Sequence, residues 1–306
     1  MEPKKKQKLL PWDECEKVFM AFKFAYIGFN YDGVASQINT TNTVEQHIFE
    51  GLIRTFMIGD RKSCGYSLCG RTDKGVSALG NVFSITLRNS PTGNYNYMKI
   101  LNNQLPDDIR IVSAVKVPHH FDARFSCLYR EYRYFFMKKD LNLQKMQEAS
   151  RYFIGIHDFK NFCKDDTEKN RTTERRILAI SVVCNGEVGE VHIKGYSFLW
   201  HQVRCMMGVL FRVGEGSEEP EIIKEMLLHN GQKPQYELAS EIGLILYDCV
   251  FESTQFPIDY NDSGNSKSLG RIYEDLIVRL QIVNCVYKLF VNIQPDVRQR
   301  KKIKLK

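Results

Sequence analysis

The chain has 306 residues, 43% hydrophobic and 26% charged, enough to bury a substantial core in one large domain or two halves. No apolar run approaches the roughly 20 residues that a bilayer span requires, and the charged stretch Met1–Leu10 lacks the apolar core of a secretory signal. The net charge of +7 sits at the ends: residues 1–8 carry +3 and residues 297–306 carry +6, which leaves 9–296 at −2, so a nucleic-acid contact by the body requires cations gathered on one face.

In chain order, the basic N-terminal extension 1–17 comes first; like the basic tail, it reads as a nucleic-acid arm, an import signal or a solvated tail. Val18–Ile27 is apolar and β-rich and predicts a first strand. Thr43-Val-Glu-Gln46 forms a capping box ahead of Val44, Ile48, Leu52 and Phe56, whose four-residue spacing predicts a helix with one buried stripe. Tyr66–Gly70 predicts a short strand. Phe83, Ile85 and Leu87 alternate with Ser84, Thr86 and Arg88, the period of a half-buried strand. Asn94–Leu105 predicts a helix stopped before Pro106, and Ile109–Val117 a strand.

The second half repeats the mixture. Arg130–Phe136 predicts a strand with Tyr132, Tyr134 and Phe136 on one face, and Leu141–Ile154 a helix. Ile177–Cys184 and Val191–Phe198 predict strands around an Asn185-Gly186 turn; 199–212 and 220–229 predict helices, the second opened by Pro220. Ile242–Phe251 supplies a last strand. The series predicts an α+β fold of two halves, 18–120 and 121–255, sharing a large sheet without a linker. Beyond it, 256–306 predicts a polar hinge, a helix near 270–290 and the basic tail.

The most informative segment is Cys69-Gly-Arg-Thr-Asp-Lys-Gly-Val-Ser-Ala-Leu-Gly80. It sets the carboxylate of Asp73 between Arg71 and Lys74 and flanks it with Gly70 and Gly75. Glycine permits positive φ and close approach of a ligand, and adjacent cations favour an ionised carboxylate. Such an aspartate is a nucleophile-capable catalytic candidate; Asp-Lys-Gly is also ordinary turn chemistry. Arg124, Arg130 and Arg133 interleave with Phe121, Phe125, Tyr129, Tyr132 and Tyr134. That pattern suits RNA, guanidinium for phosphate and ring for base, and suits equally a sheet with one charged and one aromatic face. Arg204 lies in an apolar helical segment, where a cation calls for a partner carboxylate or a path for its tip to water. His201 reads as a hydrogen-bonded neighbour, since no acid or second histidine lies at ligand spacing. Arg171, Arg175 and Arg176 either contact phosphate or form a solvated face. The nine cysteines include no Cys-x-x-Cys pair, which argues against a zinc site and for reduced, mostly packing thiols in a cytosolic or nuclear protein. No phosphate-cradling glycine loop, dinucleotide fingerprint or Ser/His/Asp set is present.

Together these segments resemble the TruA-type tRNA pseudouridine synthases from about residue 18 to 254. Gly-Arg-Thr-Asp-x-Gly-Val at 70–76 resembles the family's catalytic signature. Ala123-Arg-Phe-Ser126 with Arg130-Glu-Tyr132, and Phe198-Leu-x-x-x-Val-Arg204, resemble its other two active-site motifs. Finer features resemble one eukaryotic branch, which acts at uridines 38 and 39 of the anticodon stem-loop: Ala35-Ser-Gln37 with Thr43-Val-Glu45, Gly75-Val-Ser-Ala78, Leu105-Pro-x-Asp-Ile-Arg110, His157-Asp-Phe159, His201-Gln-Val-Arg-Cys-Met-Met-Gly208 and Pro234-Gln-Tyr236. Many family members have His where this chain has Ser77 and Gly-Trp-Gln where it has Ala35-Ser-Gln37; both departures suit the branch.

The resemblance implies a pseudouridine synthase fold: a mixed, mainly antiparallel sheet with a central RNA-binding cleft. It implies Asp73 as the essential carboxylate, Arg204 as its ion-pair partner, and Tyr132 stacking on the target base and helping to remove the C5 proton. It further implies Arg71 entering the RNA stem, and Lys74, Arg124, Arg130 and His201 binding RNA. No cofactor and no metal are expected, tRNA is the expected partner, a homodimer is one of the oligomeric states left open, and the location is nucleus, cytoplasm or both.

Overall fold

The structure, a computed structural model, describes residues 10–91, 93, 95–164, 172–229 and 235–257. Residues 1–9 of the expected N-terminal extension, the hinge, helix and basic tail beyond Pro257, and Arg171 and Pro234 lie outside the described residues.

The elements, in chain order, are β1 (Lys17–Tyr26), α1 (Val44–Arg54), β2 (Ser67–Leu68), β3 (Ser77–Arg88), α2 (Tyr97–Asn102), β4 (Ile109–Lys116), β5 (Cys127–Met137), α3 (Leu143–Ser150), β6 (Gly155–Asp158), β7 (Glu174–Asn185), β8 (Val188–Gly195), α4 (Gln202–Gly214), α5 (Ile222–Leu227) and β9 (Leu244–Phe251). The strands make one sheet in the order β4-β1-β3-β9-β5-β8-β7-β6, with β2 paired to β3. All pairings are antiparallel except β3 with β9, which run parallel through Ser77 opposite Ile245 and Ala78 opposite Leu246. The last strand in sequence therefore lies at the centre and joins two antiparallel halves.

Each half has its own apolar core. One gathers Phe22, Phe24, Phe83 and Ile85 with α1; the other gathers Phe153, Phe159 and Val191 with Met146 of α3 and Met207 of α4. β9 feeds both, with Leu246 and Phe251 in the first and Leu244 in the second. As predicted, Tyr132, Tyr134 and Phe136 share one face of β5, and they pack on the second core.

Three local expectations are corrected. The α1 stripe stops at Leu52: the helix ends at Arg54, and the chain reverses at Phe56 (φ 55°), leaving that ring exposed. β3 is covered on both faces. Ser84 is buried against the Ser67 hydroxyl (2.8 Å), and Arg88 is buried with its guanidinium donating to the carbonyls of Phe56 (2.9 Å) and Leu10 (2.8 Å). The helix expected from 199 begins only at Gln202, because His201 at its N-cap is left-handed, φ 61°. Strand β6 was not expected at all; its four residues follow a single turn of 3-10 helix, Arg151–Phe153.

The predicted cap of α1 forms by half: Thr43 Oγ1 accepts from the Gln46 amide (3.3 Å), while the Gln46 side chain turns to Glu50. Thr43→Ala is expected to cost about 1 kcal/mol of folding free energy, the usual loss for such a cap, read by urea denaturation.

Candidate active site

Asp73 sits on the loop between β2 and β3, and three features fix that loop. Asn81 of β3 clamps Gly70, accepting from its amide (3.0 Å) and donating to its carbonyl (2.8 Å). The Thr72 hydroxyl hydrogen-bonds the buried Tyr26 hydroxyl at 2.6 Å. The Val76 amide closes the turn on the Asp73 carbonyl at 3.1 Å. The two glycines are needed for different reasons. A Cβ at Gly70 would lie 2.5 Å from Leu246 of the central strand, and Gly75 has φ 79° with the Glu241 side chain where its own Cβ would go.

The loop opens into a cleft of about 550 Å³ whose lining includes Asp73, Lys74, Trp200, His201, Arg204 and Glu241, together with Ala35 and Gln37. The Asp73 carboxylate keeps 26% of its side-chain surface exposed toward that space. The Trp200 indole N–H donates to its Oδ1 (3.1 Å), and His201 Nε2 lies 3.4 Å from its Oδ2. The left-handed backbone at His201 turns that ring to the carboxylate just before α4 begins, and its Nδ1 is buried with no hydrogen-bond partner among the described residues.

The electrostatics differ from the expectation built on flanking cations. Burial raises the pKa of Asp73 above the ordinary carboxylate value, opposed by His201, the Trp200 hydrogen bond and the Arg204 charge. Lys74 points away, its ammonium 2.8 Å from Asp32. Arg71 is exposed next to the buried Thr72. Burial also lowers the His201 pKa below its ordinary value, which favours a neutral ring near pH 7.

Arg204 has the partner carboxylate that its apolar helix calls for, and that partner is Glu241, at 2.8 Å. Its Nε donates to the Ala239 carbonyl at 2.7 Å. No ion pair within 4 Å joins Arg204 to Asp73 among the described residues, in contrast to the pairing implied by the resemblance; its charge acts on Asp73 from a distance. Tyr132, on β5, does not line the cleft; its ring lies edge-on to Phe198 with centroids 4.9 Å apart. Burial, and to a smaller degree the Asp73 charge, raise its pKa, so it is a neutral phenol at physiological pH.

The other expected RNA contacts are not gathered here. Arg130 is buried, its guanidinium held by the carbonyls of Tyr196 (2.6 Å), Arg124 (2.7 Å) and Cys69 (3.3 Å), so it braces the loop and offers no open face to a ligand. Arg124 is exposed over the ring of the protruding Phe125, and Arg176 lies over Tyr196. Trp200 and Glu241 were not singled out from the sequence. Trp200 lay inside a quoted motif as a variable position, and Glu241 precedes the last strand with no pattern around it.

Trp200→Phe keeps a ring but removes the N–H that favours the charged carboxylate. The Asp73 pKa then rises further, and the acid limb of a pH–rate profile is expected to move to higher pH. A limb that stays in place would show that the indole does not tune the carboxylate.

A family model described as tRNA pseudouridine synthase matches residues 149–252. The chain is 38% identical over 315 residues to the tRNA pseudouridine(38/39) synthase of Saccharomyces cerevisiae, covering 95% of this chain and 71% of that protein. It is 35% identical over 227 residues to tRNA pseudouridine synthase A of Methanosarcina acetivorans, covering 74% of this chain and 82% of that one. With matches of that extent, this chain belongs to the tRNA pseudouridine synthase family. To the mouse tRNA pseudouridine(38/39) synthase it is 42% identical over 274 residues, 79% of this chain but 57% of the mouse protein; the chain spans little more than half of that relative's length.

Proposed function

We propose that the chain isomerises uridine to pseudouridine in the anticodon stem-loop of tRNA, at positions 38 and 39. The carrying observation is the Asp73 carboxylate on its glycine-flanked loop, partly exposed in a cleft of about 550 Å³ with Trp200, His201 and Arg204 around it. The names of the eukaryotic relatives support the choice of positions.

The reaction breaks the uracil N1–C1′ bond, rotates the base and forms C5–C1′; the C5 proton leaves, N1 gains one, and no redox partner is required. Asp73 acts on the ribose, as nucleophile at C1′ or as base, during glycosidic cleavage. Tyr132, a neutral phenol on β5, stacks on the base and helps to remove the C5 proton. A stacked base cannot reach an enclosed carboxylate, so the target nucleotide flips out, at a cost of a few kcal/mol that is lowest near a loop. Exposed Arg71, at the root of the Asp73 turn, takes the vacated space. Exposed Lys74 and Arg124 meet phosphate, and His201 contacts the nucleotide beside Asp73.

The test is position-resolved pseudouridine mapping of anticodon stem-loop RNAs, and of full-length tRNA, after incubation with the protein. Modification at 38 and 39 is expected. Modification confined to other uridines would identify a sister specificity, and none at any position would leave a non-catalytic tRNA-binding protein.

A further inference from the structure

Cys69, Cys127 and Cys249 are far apart in sequence, yet their three Sγ atoms lie within 4.8 Å of one another. Each comes from a different strand: Cys69 directly follows β2, Cys127 opens β5 and Cys249 lies in β9. All three are free thiols; Cys69 and Cys249 are buried and Cys127 partly so. Spacing along the chain is blind to such a cluster, which is why the sequence read these cysteines as packing residues.

Arg130 supplies an independent observation. Its side chain is buried at 8% exposure and its hydrogen bonds all go to carbonyl oxygens, with no carboxylate within 4 Å among the described residues. A buried cation with no countercharge is costly. Its Nη2 reaches the Cys69 carbonyl at 3.3 Å, which places the guanidinium beside the first of the three cysteines. Three neutral thiols carry no compensating charge. Three thiolates on a divalent cation carry a net charge of −1, which one guanidinium balances.

We propose that Cys69, Cys127 and Cys249 form a three-thiolate site for a divalent thiophilic d10 cation, zinc being the natural occupant, with Arg130 as its countercharge. Metal–sulfur bonds of about 2.3 Å put ligand sulfurs a little under about 4 Å apart, so small side-chain adjustments close the site. Soft thiolates select such ions, and a fourth coordination position stays open. The bound ion ties Cys69, four residues ahead of Asp73, to the strand that carries Tyr132 and to the central strand that joins the halves. Its role is therefore to hold the catalytic loop, not to touch substrate.

The test uses the full chain, reduced and stripped of metal, titrated with cobalt(II) and then zinc(II). Expected are a thiolate-to-cobalt charge-transfer band saturating at one equivalent, its displacement by zinc, and a higher melting temperature with zinc. In the wild-type protein zinc should shield the partly exposed Cys127 from alkylation, read by mass spectrometry, and leave exposed Cys184 reactive. Cys127→Ser and Cys249→Ser should each weaken binding by more than tenfold, while Cys184→Ser should not. Absence of the charge-transfer band in fully reduced wild-type protein, or alkylation indifferent to zinc, overturns the site whatever the variants do. So does a disulfide between two of the three cysteines together with no metal uptake after reduction.

Discussion

Asp73→Asn is expected to lower pseudouridine formation by more than about 10³-fold, the scale of removing an essential acid–base or nucleophilic group, with RNA binding largely kept. The same substitution should raise the melting temperature at pH 7. Burial holds the Asp73 pKa above its unfolded value of 3.8, so the folded state binds this proton more readily than the unfolded chain. The carboxyl's contribution to stability is then fully present below that unfolded value and is lost as pH rises through the folded one. At pH 7 an ionised, partly buried carboxylate opposes folding, and asparagine removes that charge while remaining nearly the same shape. The stability advantage of the variant should therefore shrink as pH falls toward 4, where aspartic acid and asparagine become alike. Tritium release from labelled anticodon stem-loop RNA reads the first effect and thermal denaturation at two pH values reads the second. Near-normal activity would remove Asp73 from the chemistry. A variant less stable at pH 7 would show that the carboxylate is better solvated or paired than the cleft suggests.

This tension between stability and function explains which parts of the molecule were legible in its sequence. The strands and helices follow from apolar period, so β1, β4, β5, β7, β8 and β9 and the cores that include α1 and α4 lie close to where periodicity puts them. The aspartate loop was legible because a carboxylate flanked by two cations and two glycines is a local pattern, complete within a few residues. What was not legible depends on pieces distant in sequence. Arg204 demanded a carboxylate, and the demand was readable from its apolar neighbours; that the acid is Glu241 depends on how the segment before β9 folds back against Gly75. Lys74 was expected to support Asp73 because it is adjacent, but adjacent side chains on a turn diverge, and Asp32 from another loop captures it. Arg130 looked like an RNA contact because it sits among aromatics on a strand, whereas β8 and the Asp73 loop enclose it. Fold-level resemblance transfers residue identities better than it transfers pairings.

The Arg204–Glu241 pair gives the second large effect, and its sign is informative. Arg204 favours ionisation of Asp73 from a distance while Glu241 holds its guanidinium. Arg204→Met removes that positive charge, the hydrogen bond to Ala239 and the partner of Glu241. Losing hydrogen bonds made by a charged group costs about 1.5–3 kcal/mol each when the site is dry, and less here because Glu241 reaches solvent. Turnover should fall by about 10²-fold or more, the scale of removing one preorganised electrostatic group, and the acid limb of the pH–rate profile should move up. Glu241→Gln does the opposite to the charge. It keeps an acceptor of the same shape for Arg204 but removes the neutralising carboxylate, so the guanidinium acts more strongly on Asp73 and the acid limb should move down. Opposite shifts in the two variants, with the Glu241 variant still folded and active, show that the Arg204 charge helps to keep Asp73 ionised beside the Trp200 hydrogen bond and that Glu241 moderates it. Shifts of the same sign would mean that the pair only braces the loop before β9, leaving the Trp200 hydrogen bond as the group that favours the charged carboxylate.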